Sequence, residues 1–267
     1  MGQQEDQSIS RPTPVPRMVF IDNLRVFLSC LVVLHHLAIT YGAPGGWYFR
    51  ETRLEQLAPL SQLLMTLFVA VNQSHFMGFF FLLAGYFTVS SFDRKGMAGF
   101  VRDRLLRLGV PLVCYIVLIE PTLHYLMTLI RHGYLSPLVF IQRLLSNFRG
   151  LGVGPLWFVE ALLIFSLIYA VWRWARSRRK TRAADVDGRL FLPGNGTILA
   201  IGLGMGALSF LVRIWLPVGW NFRLLGLQFP FFPQYICLFV IGLWAGKHNW
   251  LTQLSLRQGK QWTLVAC

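Results

Sequence analysis

Six long apolar segments leave this chain few folds to choose from. They lie near residues 24–41, 60–91, 108–130, 155–175, 196–216 and 228–246. An α-helix of about 20 apolar residues crosses the hydrocarbon core of a bilayer, and within that core each backbone N–H and C=O must be paired internally. The pattern therefore predicts an all-α, polytopic transmembrane helix bundle. The second segment is too long for one straight span and holds Asn72, Gln73, Ser74 and His75 in its middle. It is expected to be tilted, broken there, or made of two packed pieces. A seventh segment begins near Trp262 and reaches only Cys267.

Composition agrees. Hydrophobic residues make up 55% and charged residues 13%, and the mean hydropathy is +0.52. The net charge of +14 raises nucleic acid as a partner. The basic residues, however, sit between apolar runs rather than on one soluble face, and read better as topology signals. Cys30, Cys114 and Cys237 lie inside apolar stretches and read as buried thiols. No P-loop, dinucleotide-binding glycine pattern, internal repeat or metal-ligand cluster is present. Gly202-Leu-Gly-Met-Gly206 lies within a predicted span, where it suits close helix packing.

Residues 1–19 read as a flexible cytoplasmic tail, Pro-rich between Arg11 and Arg17, and 20–267 as one transmembrane domain. Asp22, Arg25, His35 and His36 inside the first apolar run argue against a cleaved secretory signal. Basic clusters at 92–107, 173–182 and 247–260 fall on one side if six spans alternate. The positive-inside rule makes that side, with the N-terminus, cytoplasmic. Arg131, Arg143 and Arg149 on the opposite side make the asymmetry incomplete.

The first segment also carries the chemistry. Arg25 and His36 are eleven residues apart. In a helix that spacing is about 1100° of rotation, roughly 20° past three turns, and a rise of about 16 Å. Both side chains then project along one line, with Asp22 about 40° from His36 and His35 about 80° from Arg25. Ionisable groups at such depth are costly and tend to mark function. A histidine suits removal of a proton from an alcohol during acyl transfer. No serine nucleophile beside a base is visible, so direct attack by an acceptor hydroxyl is simpler than an acyl-enzyme. A second reading stays open on spacing alone: His36 bonds a neighbouring helix and Arg25 snorkels to the headgroups.

Arg104 and Arg107 lie one helical turn apart where the third segment begins. They can grip phosphates of an anionic donor or simply mark topology. Glu120, Glu160 and His75 are further polar residues in apolar surroundings. Glu120 reads either as an intramembrane functional carboxylate or as a residue of the outer interface. Glu160 reads as an acceptor-orienting group or an arginine partner, and His75 as a helix–helix hydrogen bonder. His124 and His132 lie near an outer loop and carry little information.

These motifs together resemble the acyltransferase-3 family of integral membrane acyltransferases. Asp22, Leu24, Arg25 and His36 match its opening signature. Phe79 to Phe87 resembles its aromatic-rich run. Arg104-Leu-Leu-Arg107 with Pro111 resembles its basic motif, and Pro155-Leu-Trp-Phe-Val-Glu160 its Leu-Trp-Phe segment. Within the family the first helix and the Leu-Trp-Phe segment resemble the branch containing glucan-succinylating proteins. The resemblance implies transfer of an acyl group from a cytoplasmic acyl-coenzyme A to a hydroxyl of a cell-envelope carbohydrate, in a bacterial inner membrane, with no bound cofactor or metal. It makes His36 the general base and Arg25 its companion, with Asp22 orienting Arg25. Arg104 and Arg107 become donor-binding residues, and Glu160 a candidate for the acceptor. Family members carry more spans, so the domain is expected to be incomplete at its C-terminus. The competing expectations are a transporter of a small anion or lipid, with Arg25, Glu120 and His75 lining a path, and an inert membrane scaffold.

Overall fold

The computed structural model describes residues 18–134, 136–146, 152–178, 192–222 and 226–266, so the expected tail at 1–17 lies outside the described residues. Arg149 and the basic residues of 179–182 lie outside it too, as do the side chains of His132 and Arg143. The described residues form helices joined by loops, with one isolated antiparallel bridge between Phe222 and Leu227. The helices are α1 (Val19–Thr40), α2 (Pro59–Arg104), α3 (Val110–Cys114), α4 (Glu120–His132), α5 (Pro137–Ser146), α6 (Trp157–Arg178), α7 (Asn195–Trp215), α8 (Phe232–His248) and α9 (Leu256–Ala266).

Five helical stretches are long and apolar enough to cross a membrane: Val19–Thr40, Pro59–Arg131, Gly154–Arg178, Asn195–Trp215 and Phe229–His248. The second holds two of the six apolar segments. At Gly96 the backbone takes φ 66° and ψ 178°, a conformation that only glycine adopts readily, and the chain doubles back. Arg104 then donates to Thr88 at 3.3 Å, Phe92 meets Phe100 with ring centroids 5.4 Å apart, and Lys95 pairs with Asp103 at 2.8 Å. A break at the polar run 72–75 was one of three readings of the second segment, but α2 continues through it unbroken. A lone polar side chain leaves the helical backbone bonds intact, whereas positive φ ends them.

The returning arm is helical from residue 97 to 132, with π-helical turns at Leu105–Gly109 and Tyr115–Ile119. Each precedes a proline, Pro111 or Pro121. Proline lacks the N–H for an i→i−4 bond and its ring crowds the carbonyl four residues back, so a wider turn relieves the clash.

The core forms where α1, α6 and α8 pack on α2. Ile21 and Leu28 of α1 meet Phe76, Met77, Phe81 and Leu83 of α2, with Ala161 and Leu162 of α6 and Tyr235 and Phe239 of α8. Phe81 stacks on Tyr235 at 4.8 Å. The α2–α8 contact is the closest. A Cβ on Gly85 would collide with the Phe239 carbonyl, and one on Gly242 with the Leu82 carbonyl. The Ala-Gly-Tyr ending of the aromatic run therefore places a glycine where two backbones touch. The glycines expected to serve close packing, Gly202, Gly204 and Gly206, meet nothing within 4 Å among the described residues. Helix α7 packs mainly against α8 and leaves most of its surface uncovered.

Candidate active site

Helix α1 buries Ile21, Leu28 and His35, spaced by seven residues, against α2. That registry sets where its polar line points. At 100° per residue, Arg25 and His36 flank the buried stripe by roughly 60–80°, on the edge of the α1–α2 seam rather than at its centre. Neither faces bare surroundings. Phe87 of α2 lies under the Arg25 guanidinium at 4.5 Å, and Trp47 of the α1–α2 loop stacks on the His36 ring at 3.9 Å and 21°.

At the Arg25 end, Asp22 Oδ1 lies 3.7 Å from Arg25 Nη1, with the arginine side chain 45% exposed. A pair this open contributes orientation more than stability. The residue after Phe87 is Thr88, and its hydroxyl accepts from Arg104. The reversal at Gly96 thereby brings Arg104 to the turn of α2 that carries the Arg25 contact. Arg104 also lies over Phe100 at 4.9 Å, and its Nε is buried without a hydrogen-bond partner. Arg107 is different: it is 73% exposed and its Nε donates to Asp103 Oδ1 at 2.9 Å. The two arginines predicted as one clamp are thus a half-buried cation with a free Nε donor and an exposed, paired one.

At the other end of α1, His35 and His36 separate cleanly. His35 is enclosed against Phe76, with ring centroids 5.1 Å apart. His36 is half-buried beneath Trp47, and its Nδ1 is buried and unbonded. One turn beyond, Thr40 donates to the His36 carbonyl at 3.0 Å. Glu160, in the first turn of α6, is buried and its Oε2 has no partner. Glu120 is 3% exposed and accepts a hydrogen bond from Tyr48. Its two readings resolve into a buried carboxylate fastened to an inter-helix loop. The interhelical hydrogen bond expected of His75 is not made: its Nδ1 contacts Val71 O of its own helix at 2.7 Å.

Sequence reasoning missed Trp47, Tyr48, Tyr115 and Thr88. The first two follow Gly45-Gly46 in a loop, where an aromatic pair is the only signal, and that signal says nothing about which ring it will meet.

A helix bundle of this kind, with five helical stretches long and apolar enough to cross a membrane, defines a polytopic integral membrane protein. The chain belongs to the acyltransferase-3 family: the family model described as an acyltransferase domain matches residues 18–267. Among curated proteins it is similar to "Glucans biosynthesis protein C" of Escherichia coli (strain K12), 24% identical over 196 residues, 73% of this chain and 49% of that protein. The protein of the same name from Shigella dysenteriae serotype 1 (strain Sd197) is 24% identical over the same shares. The chain thus spans about half the length of the curated relatives it matches. No solved structure matches it.

Proposed function

We propose that this chain carries the catalytic residues of a membrane O-acyltransferase, in which His36 deprotonates a hydroxyl of a carbohydrate acceptor and that hydroxyl takes the acyl group of an acyl-coenzyme A. The observation that carries the proposal is His36 itself: an imidazole held flat beneath Trp47, with Nδ1 free of protein partners, on the same helix line as Arg25.

The geometry supports a definite division of labour. A coenzyme A thioester carries phosphates at one end of a long pantetheine arm and the acyl carbon at the other. Arg25 and Arg104 meet neighbouring residues of α2 at one end of α1, and the base stands about 16 Å along it. Phosphates at the arginine end leave the thioester near the imidazole. His36 takes the hydroxyl proton while the acceptor oxygen bonds to the acyl carbon. The carbon–sulfur bond then breaks, and the proton passes to the departing thiolate. Asp22 keeps the Arg25 guanidinium oriented, and Glu160 offers a buried carboxyl oxygen to a hydroxyl-bearing acceptor. The names of the similar proteins point to a glucan as the acceptor class. The basic loops favour an N-terminus and donor entrance on the cytoplasmic side of a bacterial inner membrane. The transport reading is weaker, because Glu120 is tied to Tyr48 and His75 to its own helix, which removes two of its three path residues.

The test is thiol release. Reconstituted protein given acetyl- or succinyl-coenzyme A and a glucan oligosaccharide should liberate coenzyme A and acylate the sugar. His36→Ala should remain in the membrane and release none. Near-normal release by that variant overturns the assignment.

A further inference from the structure

Tyr48 joins three separate pieces of chain. Its hydroxyl donates to Glu120 Oε2 and lies 2.6 Å from the Tyr115 hydroxyl, both on the returning arm. Its backbone carbonyl accepts from Arg131 Nη2 at 3.4 Å. The segment before α6 closes over the pair: a Cβ on Gly154, which sits at φ +47°, would strike both phenol oxygens. A Cβ on Gly152 would lie 3.3 Å from Glu120 Oε1. Burial and the bond to Glu120 push the Tyr48 phenol well above its ordinary range, so it keeps its proton and remains a donor. On the other side Tyr48 is covalently next to Trp47, the ring stacked on His36.

His36 needs such support. It stands close to the end of α1, which stops at Thr40, and its Nδ1 has no side-chain or backbone partner to fix the ring. Only packing sets the imidazole rotamer, and the stacked ring belongs to a loop. Loops hold position when tied to something rigid, and Tyr48 is tied to a helix.

We propose that the Tyr48–Glu120 bond is a tether that presses Trp47 onto the His36 ring, making Trp47, Tyr48 and Glu120 positioning residues for the general base. The proposal rests on the acyl-transfer reading and adds a part to its machinery. Tyr48 and Glu120 act through Trp47, the ring stacked on His36. A misplacement of about 1 Å can cost a rate of the order of 100-fold, so the link should register in turnover rather than in donor binding.

The experiment is a mutant cycle on reconstituted protein, reading coenzyme A release from acetyl- or succinyl-coenzyme A with a glucan oligosaccharide. Trp47→Ala and Tyr48→Phe should each lower kcat by about 10- to 100-fold while the donor KM stays within about threefold. Trp47→Phe, which can still stack, should stay near the parent. Glu120→Gln, which still accepts from Tyr48, should retain more activity than Glu120→Leu. The double variant Trp47→Ala/Tyr48→Phe should be no slower than Trp47→Ala alone, because the tether has nothing left to hold. The proposal is overturned if Tyr48→Phe keeps kcat within about threefold or if the two losses multiply. Failure of the acyl-transfer reading looks different: parent protein that releases no thiol, or His36→Ala protein that still does.

Discussion

Thr88 and Arg104 are sixteen residues apart in sequence, yet the arginine Nη2 donates to the threonine hydroxyl at 3.3 Å. The pair clasps the two arms of α2 just beyond Gly96. Thr88 spends its own proton on the Ala84 carbonyl at 2.7 Å, so it can offer Arg104 only a lone pair. The arginine is thereby drawn back toward the turn of α2 whose Phe87 lies against Arg25.

Gly96 should tolerate no side chain. At φ 66° and ψ 178°, Gly96→Ala meets no neighbouring atom within 4 Å, so its cost is purely conformational. Destabilisation of about 1–3 kcal/mol is expected, measured by thermal or denaturant unfolding in detergent. No change in stability would show that the arms do not reverse there.

Gly242 should be intolerant for another reason. Its φ is ordinary, but a Cβ would collide with the Leu82 carbonyl across the α2–α8 contact. Gly242→Ala should cost roughly 1–3 kcal/mol by forcing the helices apart. Gly204→Ala, with nothing within 4 Å, should stay within about 0.5 kcal/mol of the parent. Paired melting curves compare the two directly.

Arg104 and Arg107 should separate kinetically. Arg104→Ala removes a half-buried cation with a free Nε and should raise the KM for acyl-coenzyme A by about tenfold or more, with Arg104→Lys recovering part of the loss. Arg107→Ala removes an exposed guanidinium already paired with Asp103 and should change the donor KM by less than about threefold. Equal effects would restore the two-arginine clamp.

Glu160 should show stability and function pulling apart. Its buried Oε2 has no partner, so Glu160→Leu should raise stability by about 1 kcal/mol on removing an unsatisfied group. The same change should raise the acceptor KM and leave the donor KM alone. A destabilised Leu variant would mean that the carboxyl already has its partner.

The sequence by itself determined the class of architecture and the alignment of Arg25 and His36. A bilayer forces apolar runs into helices, and 3.6 residues per turn fixes which side chains share a line. It located the apolar segments, because hydropathy is a local quantity. It put the turn between the second and third segments in the basic stretch 92–107, but could not single out Gly96 as the pivot, because no local pattern marks which residue takes the positive φ. Nor could it rank glycines: those of α7 stand clustered in sequence and meet nothing within 4 Å among the described residues, while Gly85 and Gly242 are far apart and lie at a close backbone approach. What only the tertiary structure decided was which partners each polar residue met. Arg104 found Thr88, Tyr48 found Glu120, and Trp47 settled on His36. Those contacts join residues distant in the chain, and their geometry depends on how whole helices cross, which no local pattern encodes.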